Sequence, residues 1–471
     1  MPMRLTSRPP ETGGLARPRS SAKAPGRGRT FSQIGRRLAI CLLVAFPAQA
    51  QQQPSATQIQ QSLSSLDDGG ITARFYQLRG YVLSWSGSPA AVANARIARA
   101  VLDRAAEEGL DQGRYAVYQS GRAPADDVVM SETLLRYMRD VSVGRPELEG
   151  LDSDVSLPQR LFDAASLLDD ALRHDQLAAL LASLPPAHAE YDALRKALTG
   201  TADAGQRDIL AANMERWRWL PRALEANRIV INAANQELEF RLGGKPVLHS
   251  RVIVGKPASP TPILRAEGVG VTVNPPWTVP HTVAVKEILP KLKRNPAYLV
   301  SQDMVLVNGP SGDPQGLSVH WRAIRADRFP YVIRQLPGPH NSLGQVKLEL
   351  PNRMDVYLHD TPAKSLFGRP SRAFSHGCVR VEQILPLASY ALAADQSVIA
   401  QIMDRMGTGE TSFLPLKTRL PVYFLYWTAY AGEDGKIAFR SDIYGRDQRL
   451  ITAMKSRPLR VAALDTGCAK G

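Results

Sequence analysis

Cysteine is scarce in this 471-residue chain. The three residues, Cys41, Cys378 and Cys468, are too few and too scattered for a disulfide framework or a Cys-x-x-Cys metal site. There is no His-Glu-x-x-His pair to hold zinc beside a base, no Walker or GxGxxG run to cradle phosphate, and no internal repeat to mark a solenoid. Long apolar runs are missing as well. The run near the N-terminus, Leu38 to Phe46, is nine residues, too short for a permanent bilayer span. The composition does supply 44% apolar residues over 471 positions, enough for two or three domains with cores.

The net charge of +14 and a pI near 9.8 first suggest nucleic acid, but the charge is unevenly placed. Residues 1–37 hold nine Lys or Arg against one acid, Glu11, so +6 remains for the rest of the chain. Arg36-Arg37, the apolar run and Pro47-Ala48-Gln49-Ala50 together form a cleavable export signal with a long basic n-region, so residues 1–50 leave and Cys41 goes with them. No nucleic-acid partner is implied. Cys468 lies in a polar tail, which leaves Cys378 as the cysteine of the globular part.

Cys378 stands in Ser375-His376-Gly377-Cys378-Val379-Arg380, with His359 nineteen positions upstream of it. A nucleophilic thiolate needs an imidazole within reach and donors for a developing oxyanion. His359 or His376 can supply the first, and the amides around Gly377 and Cys378 the second. The segment Asn352 to Asp360 alternates apolar and polar residues, which predicts a strand with Met354, Val356 and Leu358 on one side and Asp355, Tyr357 and His359 on the other. Thr361-Pro362 ends it, and a loop to Ser375 would return Cys378 toward His359. A zinc site on His359, His376 and Cys378 lacks both a fourth ligand and a base, and a buried structural cysteine is the bland alternative.

These residues carry a resemblance to the L,D-transpeptidases of bacterial cell walls with a YkuD-type catalytic domain, whose signature is a histidine followed after a loop by Ser-His-Gly-Cys. Asn213 to Pro221, Asn274 to Pro280, Pro337 to Gly344 and Tyr357 to Pro362 also look like segments of the large periplasmic, YcbB-like subgroup. The resemblance implies that Cys378 is the nucleophile and His359 the proton acceptor and donor, with Ser375, His376 and Gly377 supporting the loop and oxyanion site. It also implies that Arg380, Tyr357, Asp360 and Asn341 lie at the substrate, with Asp360 a candidate to orient His359. No cofactor or metal is implied. The implied partners are peptidoglycan stem peptides as donor and acceptor, joined by 3→3 cross-links in the periplasm. An L,D-carboxypeptidase or other cysteine peptidase shares the same acyl-enzyme, and an idle wall-binding protein is the reading from a different class. Members of the subgroup usually carry a peptidoglycan-binding module before the Glu-Arg-Trp-Arg-Trp segment. Here only Thr199 to Asp208 separate Leu198 from Ile209, so no module fits.

The expected architecture is multidomain α+β. A helical scaffold spans 51–226, with apolar stripes at Ile97, Val101 and Ala105 and at Leu161, Ala165, Leu168 and Leu172, and with Asp175 capping a helix that ends at Leu184. A mostly β catalytic domain follows over 227–400, containing a capping insertion at about 275–344 in which Lys286 to Lys293 forms a helix and Trp277 and Trp321 either stack on ligand or pack. Residues 401–471 form an extension on the scaffold.

Overall fold

The computed structural model describes residues 55–456 except 65, 67, 69, 118–119, 122, 393–395 and 433. The expected export signal, Cys41 and Cys468 lie outside the described residues. Among those described, no helix is long and apolar enough to cross a membrane.

The first part of the chain is helical because its apolar positions recur at helical spacing behind clear caps. Ser88 accepts from the Ala91 amide and Pro89 occupies the first turn of the helix Pro89–Leu102. Asp163 caps Ala164–Arg173 in the same way. The buried stripe of the first of these helices runs through Asn94, Ala98 and Leu102, one residue along from the predicted one, with Ile97 and Val101 at its border. Leu161, expected in the second stripe, precedes its helix and is exposed. Gln176, not Asp175, caps Leu177–Ser183; Asp175 takes a left-handed turn at φ 54°. Phe75, Tyr76, Leu102, Leu134, Met138 and Leu168 share one core. The last two helices, Ala189–Gly200 and Ala204–Arg218, place Tyr191, Leu194, Leu210, Met214 and Trp217 in a different core, that of the β domain. Only Thr201 to Asp203 connects them, which leaves no room for an inserted module.

Besides the short edge strands Val155–Ser156 and Ala373–Ser375, eight strands form the main sheet of the β domain: β1 (Arg228–Asn232), β2 (Glu237–Leu242), β3 (Lys245–Gly255), β4 (Ile263–Val273), β5 (Val346–Glu349), β6 (Leu358–His359), β7 (Val379–Val381) and β8 (Ser412–Leu425). Their order is β4-β8-β1-β2-β3-β7-β6-β5, and a further β5–β4 pairing closes the sheet on itself. The alternation demanded by the pleat puts Ile229, Ile231, Phe240, Val252, Leu348, Leu358, Val379 and Phe424 inside. Their neighbours in sequence therefore face outward, and Tyr357, His359, Cys378 and Arg380 are among them.

Two boundaries differ from expectation. β8 lies at 412–425 and pairs in parallel with β1 and antiparallel with β4, so the sheet needs chain beyond residue 400 to close. The extension does also reach the helical part. Thr428 bonds Asn213 in both directions at 2.8 and 3.0 Å, and Arg216 pairs with Asp447 at 2.6 Å. The predicted strand over 352–360 shrinks to Leu358–His359 because Asn352 captures the backbone ahead of it. Its amide accepts from Met354 N–H at 3.0 Å and donates to Val356 O at 2.7 Å, while Asp355 turns left-handed at φ 51°.

Between β4 and β5 the chain forms a separate body. Trp277–Thr278, Ile333–Gln335 and Met304–Leu306 make a three-stranded sheet over a core of Ile288, Leu289, Leu292, Trp321 and Ile333. The predicted helix here is a π turn, Ala284–Ile288, running into Leu289–Arg294, where Pro290 removes a backbone donor from the first turn. Trp321 is packed, its Nε1 donating to Gly316 O at 2.8 Å.

Candidate active site

The 361–375 loop brings β7 back alongside β6 in parallel, pairing Leu358 with Val379 and His359 with Arg380. Val379 N–H donates to Tyr357 O at 3.1 Å, which sets Cys378 opposite Tyr357 at the mouth of the pair. Registered partners in a sheet share a face, so Tyr357, His359, Cys378 and Arg380 form one outward-facing block with His359 diagonal to the thiol. β5 adds Lys347 opposite His359, and its ammonium lies 4.2 Å from the Tyr357 ring centroid.

The Cys378 thiol donates to Asp355 O at 3.4 Å, and the Tyr357 hydroxyl faces both the sulfur and the Trp277 side chain. Burial pushes the Cys378 thiol up, against opposing pulls from Tyr357 and Lys347. His359 is 4% exposed and burial drives its imidazole down to about 3, with the neighbouring Arg380 charge adding to the effect. The backbone at Asp360 and Leu343 opposes this, yet Nδ1 has no hydrogen-bond partner of full geometry. Burial thus disfavours the charged form of both the thiol and the imidazole.

His376 points elsewhere. Its Nε2 lies 2.6 Å from Glu287 Oε1 on the π turn of the inserted body and 3.0 Å from Lys256 Nζ. Burial alone would raise the Glu287 carboxyl, but His376 and Lys256 hold it below the usual carboxylate range. His359, His376 and Cys378 therefore do not converge as a metal site would require. Ser375 ties the turn: its hydroxyl donates to Cys378 O and accepts from Gly377 N–H at 3.2 Å. Gly377 adopts φ 119°, a backbone only glycine takes without strain, and its carbonyl accepts from Thr261 Oγ1 at 2.8 Å. With the Gly377 amide engaged, the Cys378 amide is the donor of this turn that has no partner among the described residues.

Arg380 is mostly buried beside the sulfur, its charge disfavoured chiefly by desolvation, and it forms no ion pair among the described residues; its Nε has no partner at all. Two expected substrate residues are occupied. Asn341 is 1% exposed, its amide donating to Leu336 O at 2.8 Å and accepting from Leu343 N–H at 2.8 Å. The Asp360 carboxylate binds Lys364 Nζ and accepts from Gln345 N–H at 3.1 Å, so the side chain supports the loop, and it is the Asp360 backbone that meets His359. Lys347 and Glu287 are the neighbours that sequence reasoning did not assign to the site, and Trp277, left between stacking on ligand and packing, meets the Tyr357 hydroxyl. The alternation of β5 and the Pro-rich setting of Trp277 were visible, but not which strand they would meet.

Residues 226–403 match the L,D-transpeptidase catalytic domain family, YkuD, and residues 71–198 match the Scaffold domain family. The chain contains a YkuD-type L,D-transpeptidase catalytic domain. A Haemophilus influenzae protein named "Putative L,D-transpeptidase" is 29% identical over 394 residues, covering 81% of this chain and 79% of its own. The solved structure of the Ldtfm-avibactam carbamoyl enzyme aligns over 44% of this chain and 51% of its own at 14% identity and a TM-score of 0.21, too low to carry weight.

Proposed function

We propose that this chain is an exported, periplasmic L,D-transpeptidase of cell wall biogenesis and cell shape that forms 3→3 cross-links between peptidoglycan stems through an acyl-enzyme on Cys378. The observation that carries the reading is the single outward face on which a thiol, a neutral buried imidazole and an unpaired guanidinium lie together. In the first half-reaction the sulfur bonds to the carbonyl at the L-centre of meso-diaminopimelate in a tetrapeptide stem, and the thiol proton passes to His359. The C–N bond to D-alanine breaks, and His359 returns the proton to the leaving amine. The side-chain amine of a second stem then attacks the thioester, giving its proton to His359 and expelling the Cys378 thiolate. A neutral imidazole is the form able to accept the proton in both steps.

Arg380, buried without a carboxylate, suits the donor's carboxylate, and the free Cys378 amide suits the oxyanion. The inserted body, reaching the Tyr357 hydroxyl beside the thiol through Trp277 and the His376 turn through Glu287, would limit water at the thioester. Hydrolysis, the carboxypeptidase reading, uses the same first half-reaction with water as acceptor. Incubating the mature chain with purified disaccharide-tetrapeptide and analysing products by mass spectrometry separates them. Dimers that have lost one D-alanine support cross-linking, and disaccharide-tripeptide alone overturns it.

A further inference from the structure

A second cleft lies on the outer surface of the barrel on the side formed by β1, β2 and β3, walled by the helices Ala189–Gly200 and Ala204–Arg218 and by the segment after β8. Its volume is about 240 Å³, of the order of one or two sugar rings. Trp217 stacks on Trp427 with ring centroids 4.4 Å apart and planes within 12°, and His188 backs Trp217 at 4.9 Å. Asn232 clamps Trp427 from both ends, accepting from its N–H at 3.0 Å and donating to its carbonyl at 2.9 Å. The result is a rigid aromatic platform whose outer indole stays half-exposed, with Tyr430 beside it.

The polar wall opposite carries groups of both signs, among them Arg228, Glu239 and His249. Two donors in the lining, Trp217 Nε1 and Arg228 Nε, are buried without a hydrogen-bond partner, and Trp217 is 2% exposed. Buried donors of native proteins are nearly always paired, so acceptors brought by water or by a ligand would complete these two. The carboxylates of Glu190, Glu237 and Glu239 in the lining speak against a polyphosphate or nucleic acid. A flat aromatic face bordered by mixed hydrogen-bonding groups matches a pyranose, which offers C–H bonds on one face and hydroxyl and acetamido groups at its edge.

We infer that this cleft is a non-catalytic glycan subsite taking N-acetylated hexosamine units, through which the chain holds the glycan strand while Cys378 acts on stem peptides. Only the identity of the sugar rests on the proposed wall function; the platform and its unpaired donors do not. The probe is a tetramer of N-acetylglucosamine, titrated into the full mature chain with tryptophan fluorescence and calorimetry as readouts. Saturable binding is expected, weakened about tenfold or more by Trp427→Ala and by Arg228→Gln, and unchanged by Cys378→Ala. Because Trp427→Ala could disturb its neighbours, the variant is accepted only if its melting temperature and its rate of Cys378 alkylation match the parent. Absence of binding, or equal binding by both cleft variants, overturns the proposal. Glycan binding without cross-linking would leave this site standing and remove the transpeptidase reading, whereas cross-linking without glycan binding would do the reverse.

Discussion

Two buried polar regions of this molecule are built on opposite plans. At the joint between helices and barrel, Arg218 is fully buried yet surrounded: it donates to Glu215 at 2.9 Å and Tyr191 Oη at 2.8 Å and also binds Glu108 O. Burial works against its charge, but Tyr191, Glu215 and Glu108 together keep the guanidinium firmly protonated. On the catalytic face Arg380 is half-buried with no ion pair among the described residues, and the buried His359 ring meets backbone at Asp360 and Leu343. The charge that serves the fold is met by a carboxylate of the chain, and the one at the candidate site is left open to a ligand.

The sharpest break of that contrast is Cys378→Ala. It should abolish acylation and cross-linking, a loss on the order of 10³-fold or more, with an unchanged melting temperature, checked by intact-protein mass spectrometry and calorimetry. Retained product would end the nucleophile assignment. Next in size is Glu215→Gln at the joint, which strands Arg218 and the Arg145 amide and should cost about 3–5 kcal/mol in denaturant unfolding, while acylation of the protein that remains folded proceeds normally. A stability loss under 1 kcal/mol would show that the joint does not depend on its charges.

Arg380→Gln should do the opposite. Removing an unpaired buried charge leaves stability equal or improved, yet kcat/KM for the tetrapeptide donor should fall about tenfold or more, since a charge-assisted contact is worth about 1.5–3 kcal/mol. Unaltered kcat/KM would show that the guanidinium does not meet the substrate. A further effect concerns pH. The unfolded imidazole of His359 binds a proton near pH 6.5, while the folded one resists until about 3. The unfolded state therefore holds more protons in that window, and stability declines as pH falls through it. His359→Gln should flatten this part of a melting-temperature profile between pH 7 and 4, and an unchanged slope would refute it.

Much of the site was legible because chemistry is concentrated in short motifs. Ser-His-Gly-Cys and the alternation through Tyr357, Leu358 and His359 gave the residues and the face. Fold class was legible from the change of period near residue 226. Closure of the barrel was not, because β8 pairs with β1 and β4, which lie far before it in the chain (Ser412 meets Val273), and nothing local in Ser412–Leu425 names those partners. The partners of Asn341 and Asp360 were not legible for a related reason. A polar residue near a motif can serve the backbone as readily as a ligand, and only the positions of Leu336, Leu343, Lys364 and Gln345 decide between them. His376 lies closer to Cys378 in sequence than His359 does, and only tertiary structure assigns it to Glu287.

The account turns on which histidine serves the thiol, and the rate of Cys378 acylation by a carbapenem between pH 5 and 9 tests this directly. His359→Ala should slow acylation by about 10²-fold or more across the plateau, leaving a rate that rises only as the solvent deprotonates the raised thiol. His376→Ala, which loses its bond to Glu287, should keep most of the rate and the shape of the profile. The reverse ranking, with His376→Ala the slower and His359→Ala near the parent, would contradict the assignment of the proton acceptor.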